Sequence, residues 1–213
     1  MISFALALAS TVPSVIDAER AFAKLAQDKG QWTAFRATAA PTNAIPEALM
    51  FVPQLVGAQA WLRDKKDPTR SVRWWPTKAF LSCNGYMAVT TGGAVWPDGR
   101  HGYFTTVWTI NDPDRPEWRW TLDHGGDLDA PRVETPMPEV RRASCAPVTK
   151  PISTIAFSIT DPAPGGGGGG SEKDLWYSYS TSREGSREFV LWLWNGTDFD
   201  VVIHDIVPAS NAK

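Results

Sequence analysis

The chain has few of the residues that usually announce chemistry. Only two cysteines and three histidines occur in 213 residues. Cys83 and Cys145 do not make a metal site, and His101, His124 and His204 lack the spacing that would set two rings on one face. No metal and no cofactor is expected. An excess of one charge is also missing. The 21 basic and 23 acidic residues nearly balance, and no basic stripe offers a footprint for nucleic acid. No apolar run approaches the ~20 residues of a membrane-spanning helix. There is no GxSxG elbow, and neither cysteine has a histidine close by in sequence, so the common nucleophile motifs are absent. The run Gly165 to Gly170 is not followed by GK[ST], which argues against a phosphate loop.

What the chain does have is tryptophan, eleven of them. Trp buries a large area, favours strands and asks for a partner for its indole N–H. The count fits either a sheet core that uses Trp as filler or an aromatic-lined pocket. Met1 to Ser10 is small and apolar. It is either the end of a secretory h-region lacking its basic start, which would favour a periplasmic or secreted protein, or a frayed terminus. In an oxidising compartment Cys83 and Cys145 could pair, whereas in the cytosol they would stay reduced.

Two helices are expected first. Ser14 followed by Asp17 reads as a capping box, apolar residues recur at helical spacing through Ala26, and Lys29-Gly30 reads as an end. Glu19 falls with Arg20 and Lys24 on the face expected to meet solvent. Trp32 and Phe35 mark a second helix, ended by Pro41. Ala48 to Val52 fits a first strand and Gly57 to Lys66 a short helix. From Ser71 the period changes to two. Pro76 places the first long strand on an edge or a bulge. Asp98-Gly99 signals a hairpin, and Tyr103 to Ile110 and Trp118 to His124 alternate as strands. Parity sets His124 on the apolar face with Trp118, Trp120 and Leu122, and Asp123 on the opposite, outward face. Residues 130–151 carry five prolines and read as a surface loop. Ile152 to Ile159 reads as a strand, and the glycine run as a flexible tether unable to pack a core. Residues 172–207 read as a β-meander whose strand Phe189 to Trp194, apolar on both faces, needs cover on both sides.

Three stretches resemble the NTF2-like superfamily, in its SnoaL-like and DUF4440-type branches. They are Asp17 to Ala23 with Gly30 and the Trp32–Phe35 helix, Gly102 to Trp108, and Trp118 to His124. The resemblance covers roughly residues 14–129 and implies an α+β fold, with N-terminal helices packed on a curved antiparallel sheet that forms a cone. Residues 130–171 would be a Pro-rich loop and Gly-rich tether, and the C-terminal meander would pack on the cone. It further implies a cavity for a small apolar ligand, lined by Trp32, Phe35, Phe51, Tyr103, Phe104, Trp108 and Trp120. A homodimer through the exposed sheet face is a further expectation. Enzymes of that superfamily place a carboxylate or His in an apolar cavity, and His124 with Asp127 are the candidates here for a lyase or isomerase. The first helix has Phe22 and Leu25 where the steroid isomerases carry a Tyr, which argues against that chemistry. A third expectation is a structural dimerisation module whose cone is filled by its own tryptophans.

Overall fold

The computed structural model describes residues 14–41, 43–44, 47–52, 54–152 and 162–209. The segment Met1 to Ser10, and residues 153–159 of the expected strand, lie outside the described residues. Three helices come from the first part of the chain: α1 (Val15–Lys29), α2 (Gln31–Thr38) and the short α3 (Ala58–Leu62). The Ser14 hydroxyl accepts from the Asp17 amide at 3.2 Å and starts α1. Gly30, at φ 107°, ends it and turns the chain directly into α2.

The strands form two sheets. The first contains β1 (Leu49–Phe51), β2 (Leu55–Gly57), β3 (Arg73–Leu81), β4 (Met87–Val95), β5 (His101–Thr109), β6 (Arg119–Asp127) and β7 (Glu139–Arg142). Its order is β2-β1-β6-β5-β4-β3-β7, with β1 parallel to β6 and β7 parallel to β3. The second contains β8 (Pro162–Gly169), β9 (Leu175–Ser182), β10 (Arg187–Trp194) and β11 (Phe199–Val207), in the antiparallel order β11-β10-β9-β8.

This overturns the expected α+β cone. Eleven strands stand against three helices among the described residues, and they form a mixed sheet and a second antiparallel sheet rather than one curved antiparallel sheet under helices. The physical reason is layering. The first sheet is apolar on both faces, and each face needs cover. The helices cover one face, where Phe22, Ala26 and Phe35 pack on Trp74, Phe104, Trp108 and Trp120. The second sheet covers the other, where Leu175, Tyr177, Phe189 and Leu191 pack on Phe80, Val89, Val107 and Leu122. Hence every residue of β4 from Met87 to Ala94 is buried, and the central strands offer no open face for a dimer.

The glycine run is not a tether. Gly165–Gly169 belongs to β8 and pairs with β9. A Cβ at Gly166 would lie 2.5 Å from the Tyr179 hydroxyl, and one at Gly168 would lie 3.2 Å from the Tyr177 ring. The run of bare backbone lets the strand lie against those aromatics. Within the Pro-rich stretch, Glu139–Arg142 is likewise a strand.

Pro76 sits at a bulge, where the β3–β4 register shifts between Pro76 and Lys78. The bulge brings the Trp75 carbonyl onto Gly92, where a Cβ would lie 1.9 Å from that oxygen and 2.8 Å from the Phe104 ring. Gly92→Ala is therefore expected to lower unfolding free energy by about 3 kcal/mol through overpacking. Urea denaturation checks this, and a change below about 0.5 kcal/mol, the range of an ordinary surface substitution, would contradict it.

Candidate functional site

A cavity of about 630 Å³ opens between the helix layer and one end of the first sheet. That volume falls within the range of small-molecule sites. Trp32 and Phe35 of α2 form one wall, and Met50 and Phe51 of β1 a second. Trp74, Ala94 and Phe104 supply the floor from β3, β4 and β5. Trp32 stands edge-on to Phe35 at 5.5 Å and to Trp61 at 5.2 Å, which braces the first wall.

Strand β6 crosses this cavity in an unusual way. β1 pairs with it only at Leu122 and Asp123. From His124 to Asp127 the edge of β6 on that side has no strand partner among the described residues, and these residues line the cavity instead. Side chains from both faces of β6 therefore border one space. Asp123 does so from the helix side and His124 from the side of the second sheet.

The faces themselves differ from the parity expectation. The β5–β6 register shifts between Val107 and Trp108, so that Trp108 pairs with Trp120 while Val107 pairs with Leu122. Thr121 is the extra residue of this bulge. It returns Asp123 to the face of Trp120 and sends Leu122 and His124 to the opposite one. Asp123, expected to point outward, thus points inward.

The Asp123 carboxyl accepts from the Thr106 hydroxyl at 2.8 Å. It is half-buried and borders the cavity. Burial raises its pKa from the ordinary 3.8 to about 8, the Thr106 bond opposes the shift, and the Glu19 charge adds to it. At neutral pH Asp123 is a protonated acid that can donate a hydrogen bond.

Glu19 was expected at the solvent face of α1, but it is fully buried. Its Oε1 accepts from the Trp74 indole N–H at 2.7 Å. Its Oε2 accepts from the Thr90 hydroxyl at 2.6 Å and from the Trp108 indole N–H at 3.0 Å. Burial pushes its pKa up, against the pull of these three donors. Glu19 holds Trp74, a floor residue of the cavity, in place.

His124 is buried and ringed by aromatics, with Phe189 at 5.0 Å, Tyr103 at 5.9 Å and Phe51 at 6.2 Å between ring centroids. Its nearest acid is Asp205 of β11, Oδ2 at 3.1 Å from Nε2, and Asp205 also accepts from the Thr105 hydroxyl at 2.9 Å. The expected partner Asp127 is occupied elsewhere. At the mouth it receives the Trp96 indole N–H at 2.8 Å and two bonds from Arg100 Nη1, at 2.8 and 2.9 Å. The pair His124 and Asp127 is therefore not joined by any hydrogen bond or ion pair between described residues.

Trp32, Phe35, Phe51, Tyr103 and Phe104 border the cavity, whereas Trp108 and Trp120 lie buried in the core beyond its lining. Trp120 donates instead to the Thr38 hydroxyl at 3.1 Å. Sequence reasoning missed Glu19, Asp205 and Arg187. Arg187 of β10 borders the cavity, donates to the Gly125 carbonyl and lies over the Phe51 ring at 5.5 Å. For Glu19 a signal existed, since it stands four residues after Val15 and three before Phe22, on the buried stripe of α1. For Asp205 and Arg187 there was none, because both arrive from the second sheet.

No group of three or more metal-ligating side chains occurs among the described residues, and no helix there is long and apolar enough to cross a membrane. No family model, curated protein or solved structure matches the chain, so the resemblance to the NTF2-like superfamily rests on its three short stretches alone.

Proposed function

We propose that the cavity binds a small, largely apolar molecule carrying one uncharged hydrogen-bond acceptor, and that Asp123 donates to that acceptor. The observation that carries this reading is a carboxyl with its pKa raised to about 8 in the wall of an aromatic cavity. A protonated acid in such a place is complementary to a carbonyl oxygen, and the aromatic walls are complementary to an apolar body.

The test uses a matched pair of probes, 4-phenylcyclohexanone and phenylcyclohexane, read through the fluorescence of Trp32, Trp74 and Trp96 at the cavity. The ketone is expected to bind about tenfold more tightly, as one hydrogen bond of about 1.4 kcal/mol provides. Asp123→Leu should erase the difference, and Asp123→Asn, which keeps an N–H donor, should retain part of it. Ketone affinity should hold below pH 8 and fall above it, because the donor is lost as the carboxyl ionises at about 8. Equal affinity for the two probes would refute the role of Asp123.

A second reading is acid–base chemistry at the same carboxyl, favoured because a group titrating at about 8 is matched to proton transfer near neutral pH. Exchange of ketone α-hydrogens for deuterium in heavy water, lost in Asp123→Asn, would support it. Exchange at the buffer rate would dismiss it.

A further inference from the structure

Across the open edge of β6 from Asp123, the cavity meets two more polar side chains whose bonding is incomplete. Tyr103 is 5% exposed, and its hydroxyl has no hydrogen-bond partner among the described residues. His124 is 2% exposed, and neither ring nitrogen makes an aligned hydrogen bond there. Its Nε2 does lie 3.1 Å from Asp205, close enough for electrostatic attraction but off the direction of the N–H. The two rings stand edge to face at 5.9 Å, and both border the cavity. Buried polar groups of folded proteins nearly always have partners, so two such groups side by side on a cavity wall require an explanation.

We propose that Tyr103 and His124 form a second polar subsite of the cavity, and that it takes a ligand hydroxyl. This rests on the reading of the cavity as a ligand site. The chemistry follows from what each group can offer. The Tyr103 O–H is a donor. The Asp205 carboxylate draws the His124 proton to Nε2, which leaves Nδ1 as an acceptor. A hydroxyl is complementary to that pair, since it accepts from Tyr103 and donates to Nδ1. A bare carbonyl could satisfy only Tyr103. The surroundings carry both signs of charge, with Arg132 over the Tyr103 ring at 5.0 Å, Arg187 on the same wall, and Asp205 behind His124. Gly126 preserves the room, because a Cβ there would lie 2.8 Å from the Tyr103 ring and 3.2 Å from its hydroxyl. The ligand class is then an apolar skeleton with an acceptor at one end, for Asp123, and a hydroxyl at the other.

The experiment compares 4-(4-hydroxyphenyl)cyclohexanone with 4-phenylcyclohexanone on the full chain and on Tyr103→Phe. The hydroxyl is expected to raise affinity about tenfold in the native chain and to add nothing in Tyr103→Phe. Equal affinity of the native chain for the two ketones overturns the subsite and leaves the Asp123 site standing. If neither ketone binds, the ligand reading itself falls, and thermal unfolding then decides whether the hydroxyl is unpartnered. A Tyr103→Phe melting temperature equal to or above native supports an unpartnered hydroxyl. A clear decrease shows that the hydroxyl serves the fold and overturns the subsite.

Discussion

Glu19→Ala is expected to lower the unfolding free energy by about 3 kcal/mol, even though it removes a carboxyl from a place that penalises charge. The balance is set by the donors left behind. Trp74 and Trp108 each present an indole N–H to Glu19, and an indole nitrogen can only donate. Losing the acceptor strands the Trp74 N–H in the core, at about 1–3 kcal/mol, whereas the Trp108 N–H keeps the Thr90 hydroxyl at 3.0 Å. The Thr90 hydroxyl loses its short acceptor and keeps the Thr106 carbonyl at 3.5 Å. Relief of the buried charge offsets part of the loss, and a void where the side chain stood adds to it. A double-mutant cycle with Trp74→Phe separates these terms. If the stranded donor dominates, Glu19→Ala costs less in the Trp74→Phe background. An undiminished loss there would assign the effect to the void instead. The same carboxyls set a pH dependence. Both Glu19 and Asp123 have raised folded-state pKa values, so the folded chain binds more protons than the unfolded chain above the ordinary carboxylate range. Their contribution to stability is complete at acid pH and is lost as pH rises, for Asp123 through about 8. Glu19→Ala should flatten this slope and also lower the Asp123 midpoint, since the Glu19 charge is one cause of its elevation.

The parts of the fold that were legible in sequence are those decided by local chemistry. Ser14 and Asp17 start α1, and Gly30 ends it, because capping and a positive φ are local demands. Gly99 takes a positive φ in the turn that Asp98-Gly99 announces. What was not legible depends on distant pairing. The strand Leu49–Phe51 was legible but its parallel pairing with β6 was not, and β7, with four residues, is too short for a period and pairs in parallel with β3 far away in sequence. The bulge at Thr121 leaves no local mark, and it moves both Asp123 and His124 to the opposite of their parity faces. One unannounced residue thus exchanged the roles of the two side chains most relevant to the site. β8 was illegible for a different reason. Glycine carries no side-chain pattern, and its place in the sheet comes from the tyrosines of β9 that it lies against.

Replacing Cys83 and Cys145 together by serine is expected to cost about 4 kcal/mol, the loop-closure entropy for a bond between residues 62 apart. The two cysteines are bonded, with Cα atoms 5.1 Å apart. The position of the bond makes the effect more than a constraint on the unfolded chain. Cys83 follows β3, and its amide donates at 2.6 Å to Asp174, which precedes β9 of the second sheet. Cys145 follows β7, beside Ser144, whose amide donates to the Trp194 carbonyl at 2.8 Å, and Ala146, whose carbonyl accepts the Trp194 indole N–H at 3.0 Å. Arg142 adds bonds to the Ser82 and Cys83 carbonyls, each at 3.0 Å. The disulfide thus ties β7 to the β3–β4 turn at the point where both meet the second sheet. Without it, β7 is an edge strand of four residues held by its pairing with β3. Hydrogen exchange should therefore accelerate first in β7 and at the Ser144 and Trp194 amides, and only later in β4 and β5, which are covered on both faces. Urea denaturation should show a lower midpoint with the serine pair, and reduction of the native chain by dithiothreitol should reproduce it. Coincident urea curves for the oxidised native chain and the serine variant would show that the bond adds nothing. A uniform rise in exchange across all strands would show that it acts on the unfolded chain alone and not on the junction of the two sheets.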